Sequence, residues 1–145
     1  MNWSTLLRFR KQVEDVIREE VVMAELEQSR EETKTAQLRS EMNRLSEDID
    51  RSLRTGISTI FLEQRFRWLE ESGSALEVQA NCMQEWNRKL AELRKRLKAA
   101  YHARRIVEIV IEKKETAYMR KLARDEQMLM EEVTAHKYAD VMVNE

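Results

Sequence analysis

The apolar residues of this chain recur in a helical rhythm along most of its length. Leu6, Phe9, Val13, Val16, Ile17 and Val21 form a recurring apolar series near the N-terminus, with the spacing that lines one face of an α-helix. The pattern thins over residues 27–37, where Ala36 is the only apolar residue. It returns as Leu38, Met42, Leu45 and Ile49, in alternating steps of four and three. That alternation is the a/d rhythm of a coiled-coil seam. The strongest signal comes next: Leu62, Leu69, Leu76, Met83, Leu90 and Leu97 fall seven residues apart. Trp86, Leu93, Ala100 and Val107 interleave with them, and Ile111 and Tyr118 continue the phase. A heptad kept over this length predicts a left-handed supercoil.

The pattern therefore predicts an all-α fold, a two-helix antiparallel coiled-coil hairpin whose second helix is longer than the first. The expected boundaries are a helix over about residues 3–53, a turn at 54–58 and a helix over about 59–141, all in one hairpin domain. Gly56 suits the left-handed position that ends a helix. Ser58 can cap the next helix through its hydroxyl. Ile57 and Leu62 are placed to form a hydrophobic staple across that start. A rival turn lies at Glu71-Ser72-Gly73-Ser74, which would divide the chain into nearly equal arms. Leu69 and Leu76 keep one heptad phase across Gly73, whereas a turn would reset it. Charge points the same way. Residues 14–32 are dominated by Glu and residues 88–105 by Arg and Lys. A turn near Gly56 pairs residues whose numbers sum to roughly 112, bringing these stretches into partial overlap, as charges flanking a seam prefer.

Composition agrees. The chain has 145 residues, no proline, two glycines and 37% charged residues, the make-up of a long helix or coiled coil rather than of a many-looped domain. Its net charge of −1 argues against a strong global pull towards nucleic acid. The basic run from Arg94 to Arg105 is a nucleic-acid candidate by itself, but it reads better as an ion-pairing face opposite the acidic stretch. No segment approaches a membrane span, and the N-terminal apolar run is too short for a signal peptide. A single cysteine, Cys82, forbids an internal disulfide framework and fits a cytoplasmic protein.

Catalytic chemistry finds no footing. No Gly-rich phosphate loop is present. His102, His136 and Cys82 lack the convergence that a zinc site needs. No catalytic residue, metal or cofactor is expected. Binding surfaces are the remaining candidates. Trp68 lies off the strict heptad beside Ser72, Gly73, Ser74 and Ala75, a small-residue patch that a partner could approach closely. Beyond about residue 110 the second helix outruns its partner, yet Ile111, Tyr118, Leu122, Leu129 and Val133 extend an apolar stripe, and such exposed surface marks interfaces.

A family resemblance gives these surfaces expected partners. Arg104-Arg105-x-x-Glu108, Glu112-Lys113-Lys114, Tyr118-x-Arg120, Arg124-x-Glu126-Gln127 and Glu131-Glu132 resemble the C-terminal helix of the FliJ family, the helical stalk proteins of flagellar type III export. Met128, Met130 and Glu131 stand where the family pattern has Lys, Leu and Asp. The length, the two-helix layout and Gly56-Ile57-Ser58 are also similar. The resemblance implies an antiparallel coiled coil like the central stalk of rotary ATPases, cytoplasmic and peripherally associated with the inner-membrane export apparatus. It implies three partners: a hexameric export ATPase, the cytoplasmic domain of the export gate, and export chaperones. Carried onto matching positions, the gate-binding face comprises Leu38, Leu45, Trp68, Ser72, Ala75 and Gln79, with Ser72 and Gln79 changed in residue type. The ATPase-binding end is expected to use Leu6, Phe9, Arg10, Val13, Tyr118, Arg120, Arg124, Glu126 and Gln127. A homologous injectisome stalk and a coiled-coil adaptor outside secretion are the alternative readings.

Overall fold

The computed structural model describes residues 2–56 and 58–143. Two helices, α1 (Trp3–Thr55) and α2 (Thr59–Val143), contain nearly all of them. With no proline to interrupt either helix, the backbone hydrogen bonds run on unbroken, and α2 passes through Gly73 without a break. Asn2 starts α1: its Oδ1 accepts from Thr5 N at 3.3 Å and its carbonyl from Leu6 N at 3.2 Å, an N-cap arrangement. Gly56 ends it. Its φ of 77° lies in the left-handed region, and its N–H donates to the Ser52 carbonyl at 3.1 Å, which closes the helix. At the start of α2 the Ser58 carbonyl accepts from Leu62 N at 3.2 Å. Ile57, expected to staple onto Leu62, lies outside the described residues.

The chain divides into two compact units, one of Val13–Ala100 and one of Met1–Gln12 with Tyr101–Glu145. The first is an antiparallel helix pair. Glu20 meets Arg96 at 3.6 Å, Glu25 meets Arg94 at 3.3 Å, Gln28 meets Asn87, Glu31 meets Gln79 and Ser52 meets Arg65. Partners rise along α2 as positions fall along α1, which is the signature of an antiparallel hairpin. The acidic and basic stretches do ion-pair across it.

The seam of this unit follows the three–four rhythm with little deviation. On α1 the inward positions run Glu14, Ile17, Val21, Ala24, Gln28, Glu31, Thr35, Leu38, Met42, Leu45, Ile49 and Ser52; on α2 they run from Leu62 to Ala100. Its best-buried part is a cluster of Val21, Ala24 and Leu90, against which Trp86, Leu93 and Leu97 pack. Leu90 is only 1% exposed. Val16, read as a member of the apolar stripe, is instead more than half exposed, and so is Phe9, the aromatic expected at the binding end. The inward phase near the N-terminus belongs to Glu14 and Ile17, because hydrophobicity alone does not distinguish Val16 from its neighbour.

In the second unit Val107 is buried, and Leu6, Leu7, Arg10, Ala103, Arg104, Arg105, Glu108, Val110 and Ile111 are half-buried. From Glu112 onwards every described residue is exposed.

Candidate protein-binding surfaces

The turn-proximal part of the Val13–Ala100 unit carries a shallow groove of about 370 Å³, lined by Leu38, Leu45, Trp68, Glu71, Ser72 and Ala75. Helical spacing builds it. Leu38 and Leu45 stand two turns apart on α1, and Trp68, Ser72 and Ala75 fall at i, i+4 and i+7 on α2, so each set shares one face. Leu38 and Leu45 are half-buried and contribute to the seam; Trp68 is exposed enough to be touched from outside. The fold thus brings together five of the residues that the resemblance singles out for gate binding.

Gln79 is placed differently. Its amide donates to the Glu31 carboxylate at 2.5 Å and to the Glu31 backbone carbonyl at 3.1 Å, across the seam. Glu31 is buried, and Lys34 meets it at 3.2 Å. The Gln79 hydrogen bond, seconded by Lys34, holds the Glu31 carboxyl below the usual carboxylate range. Burial, seconded by the Glu31 charge, pushes the neighbouring Cys82 thiol up. A second polar layer lies closer to the turn, where the Arg65 guanidinium donates to the Ser52 hydroxyl and to the Asp48 carbonyl. The expected seam omitted both layers. Their signal was positional: the rhythm of Trp86 and Leu93, continued backwards, passes through Gln79, Ser72 and Arg65.

In the unit of Met1–Gln12 and Tyr101–Glu145, Phe9 is 54% and Tyr118 61% exposed. Arg120, Arg124, Glu126 and Gln127 are also exposed, while Leu6 and Arg10 are half-buried. Gln127 donates to Glu131 at 3.3 Å. The Arg10 guanidinium lies 5.9 Å from the Phe9 ring centroid, and its Nε is buried without a hydrogen-bond partner. Lys114 Nζ sits 4.7 Å from the Trp3 ring centroid. Val13 falls in the other unit. The Arg104-Arg105-x-x-Glu108 motif is an ion-pair cluster on one face: Glu108 meets Arg104 at 2.6 Å and Arg105 at 3.0 Å, and Arg105 also reaches Glu112 at 3.4 Å. Arg105, then Arg104, draws the Glu108 carboxyl below its ordinary value.

Beyond Ile111 the apolar residues remain, and no described residue covers them. Tyr118, Met119, Met128, Leu129 and Met130 are each more than 60% exposed, and Leu122 and Val133 are 40% and 48% exposed. Tyr118, Leu122, Leu129 and Val133 share one helix face, a stripe that in a water-soluble helix normally finds a partner.

Among the described residues no group of His, Cys, Asp and Glu is arranged to hold a metal ion. No helix is long and apolar enough to cross a membrane. These features define the class: a two-helix coiled-coil protein whose chemistry resides in exposed helix faces. The chain matches the family described as flagellar FliJ protein over residues 2–142. It belongs to that family, non-catalytic structural and escort proteins of flagellar export. Neither a curated protein nor a solved structure gives a match.

Proposed function

We propose that this protein is the stalk that couples the hexameric export ATPase to the export gate during flagellar assembly. The observation that carries the reading is the unpartnered apolar stripe of α2 beyond Ile111, rich in methionine and tyrosine and flanked by both signs of charge. A pore lined by charged and apolar residues is a suitable receptor for such a helix. Methionines adapt to a lining that changes shape during a catalytic cycle. Tyr118, Arg120, Arg124, Glu126 and Gln127 are the contacts expected there, with Leu6, Phe9, Arg10 and Val13 contributing from α1. The stalk supplies no catalytic group. It favours those ring conformations with which it makes the better contacts, and it shifts the ring by no more than that difference.

The groove of Leu38, Leu45, Trp68, Ser72 and Ala75 is the proposed seat of the gate's cytoplasmic domain, with Trp68 as the aromatic anchor. Gln79 acts there indirectly, since its amide is engaged with Glu31. Export chaperones are further proposed partners, and a cytoplasmic location beside the inner-membrane apparatus follows from the same reading.

ATP hydrolysis by the cognate ring tests it. Full-length protein should stimulate assembly and hydrolysis, and a chain ending near residue 110 should not. Equal stimulation by both would remove the stripe from the coupling role. Trp68→Ala should weaken gate binding by more than about 1 kcal/mol, the level that marks an anchoring residue. Its affinity for the ring should stay unchanged.

A further inference from the structure

The stripe on α2 beyond Ile111 has a symmetry of its own. Its residues Tyr118, Leu122, Leu129 and Val133 are arranged about the Asp125–Glu126 peptide bond. Leu122 and Leu129 stand equally far from that bond, and so do Tyr118 and Val133. Charge changes sign at the same place. Residues 112–124 hold five bases against two acids, and residues 125–143 hold five acids against one base. Extending the first half back to Arg104 adds two arginines and Glu108, and extending the second to residue 145 adds Glu145. The polarity therefore does not depend on where the stretch is cut. Lys114, Lys121, Asp125 and Glu132 fall at i, i+7, i+11 and i+18, so basic and then acidic residues line one edge of the stripe.

This arrangement identifies what fits it. In a two-fold pair, whatever one copy's residue meets on the other is met in return. Two copies set antiparallel about the Asp125–Glu126 bond bring Leu122 of one level with Leu129 of the other, and Tyr118 level with Val133. Each basic half then lies along the other copy's acidic half. Parallel pairing sets like charge on like. Charges flanking an apolar seam decide partner and orientation in this way. The overlap takes in residues 112–139 of each copy, about four heptads, a length over which such a seam sustains a coiled coil. All of these residues are exposed, and a long helix draws most of its stability from packing its apolar face. Asp125 and Glu126 adjoin their counterparts at the axis, and that repulsion predicts a pair that exchanges, not a permanent dimer.

We propose that the α2 stripe is a self-association surface whose occupant is the same stripe of a second copy, antiparallel and centred between Asp125 and Glu126. The inference goes beyond the stalk reading and stands without it, since it needs no ring. Where that reading also holds, ring and second copy compete for one stripe.

Sedimentation equilibrium of the full chain, with no other protein present, tests it. A monomer–dimer equilibrium should appear in the micromolar range and weaken as salt rises. Leu122→Ser with Leu129→Ser should raise the dimer dissociation constant at least about tenfold, because it removes the central apolar contacts. Lys121→Glu and Glu132→Lys should each raise it about fivefold, and a mixture of the two should pair like the parent. Ile60→Ser with Phe61→Ser, at the far end of the hairpin, should leave it unchanged. Orientation is read by a short thiol-reactive cross-linker in a Cys82→Ser background. Tyr118→Cys and Val133→Cys chains should link to each other when mixed and hardly to themselves. The substituted stripe positions are all exposed, so circular dichroism should report intact helices. The proposal is overturned if the chain stays monomeric throughout the micromolar range, or if the stripe variant dimerises like the parent. It is equally overturned if the Ile60 and Phe61 variant loses the dimer, or if either cysteine variant links efficiently to itself, as a parallel pair requires.

Discussion

Two stretches of the same helix pair are built on opposite principles. Around Leu90 the seam is apolar, with Val21, Ala24, Trp86, Leu93 and Leu97 closing on a side chain that water hardly reaches. Towards the turn the same seam positions hold Glu31 against Gln79, Ser52 against Arg65, and Gly73 beneath Met42. The first stretch gains stability from burial. The second gains registry: a charged group inside a seam tolerates only the alignment that meets its donor, and polar layers fix coiled-coil register at a cost in stability. The groove proposed for gate binding lies in the second stretch. A surface that must accept a partner is well served by a looser seam beneath it, because the least stable parts of a fold open locally most easily.

The largest expected effect tests the apolar stretch. Leu90→Ala removes its best-buried side chain and should cost about 2–5 kcal/mol in urea unfolding. Leu45→Ala, at a half-buried position nearer the turn, should cost distinctly less. Amide exchange should divide the unit in the same way, slow around Val21 and Leu90 and faster from Leu38 to Leu69. Equal costs, or uniform exchange, would dissolve the distinction.

The second test addresses the polar layer through pH. Because Gln79 and Lys34 depress the folded carboxyl of Glu31, its contribution to stability is full above the ordinary carboxylate value. It is lost as pH falls through the lower folded one. The urea midpoint of the parent should therefore drop on acidification more steeply than that of Glu31→Gln. Gln79→Ala strands the buried carboxylate and should destabilise at neutral pH, by less than Leu90→Ala does. Replacing Glu31 and Gln79 together by leucine should recover that loss, as apolar replacements of buried polar pairs often do, while relaxing the register. Cys82 offers a local readout. Burial and the Glu31 charge raise its thiol, so alkylation at neutral pH should be slower than for a free thiol and should accelerate in Glu31→Gln.

How much of this the sequence discloses depends on the residue type at each seam position. Where the rhythm is carried by Leu, Met and Trp, as on α2 from Leu62 to Leu97, periodicity alone identifies the seam and the long second helix. Where it passes through Arg65, Gln79, Glu31 or Glu14, hydropathy points outward while the backbone geometry points inward, and the polar layers are lost from view. The same blindness misplaces Val16, which is apolar but exposed. The α2 side of the groove was legible in the heptad, from which Trp68 and the small-residue patch at Ser72–Ala75 stand apart; its union with Leu38 and Leu45 was legible only through family resemblance. Periodicity assigns Leu38 and Leu45 to the seam, and nothing in the spacing says that they join the Trp68 patch in one surface.

The smallest effects come from the two glycines, and they should differ in sign. Gly56 adopts a φ of 77° with open space where a Cβ would stand. Gly56→Ala therefore meets no clash, only the left-handed backbone penalty of about 1–2 kcal/mol. Gly73 sits inside α2 with helical geometry, and an added Cβ would meet only the Met42 methyl, at 3.9 Å. That is ordinary contact, so Gly73→Ala should stabilise by about 0.5–1 kcal/mol through the backbone entropy that glycine otherwise loses on folding. Slower amide exchange between Leu69 and Leu76 should accompany the gain. The pair sharpens the contrast between the two stretches, because Gly73 lies beneath the groove residues Ser72 and Ala75. If Gly73→Ala stabilises the helix and weakens gate binding together, looseness at this point is functional. If it stabilises the helix and leaves binding intact, the polar layers set the register but the groove does not depend on a yielding seam. If it destabilises, the helices pack more closely at Met42 than the 3.9 Å contact allows, and the turn-proximal stretch is no looser than the apolar one.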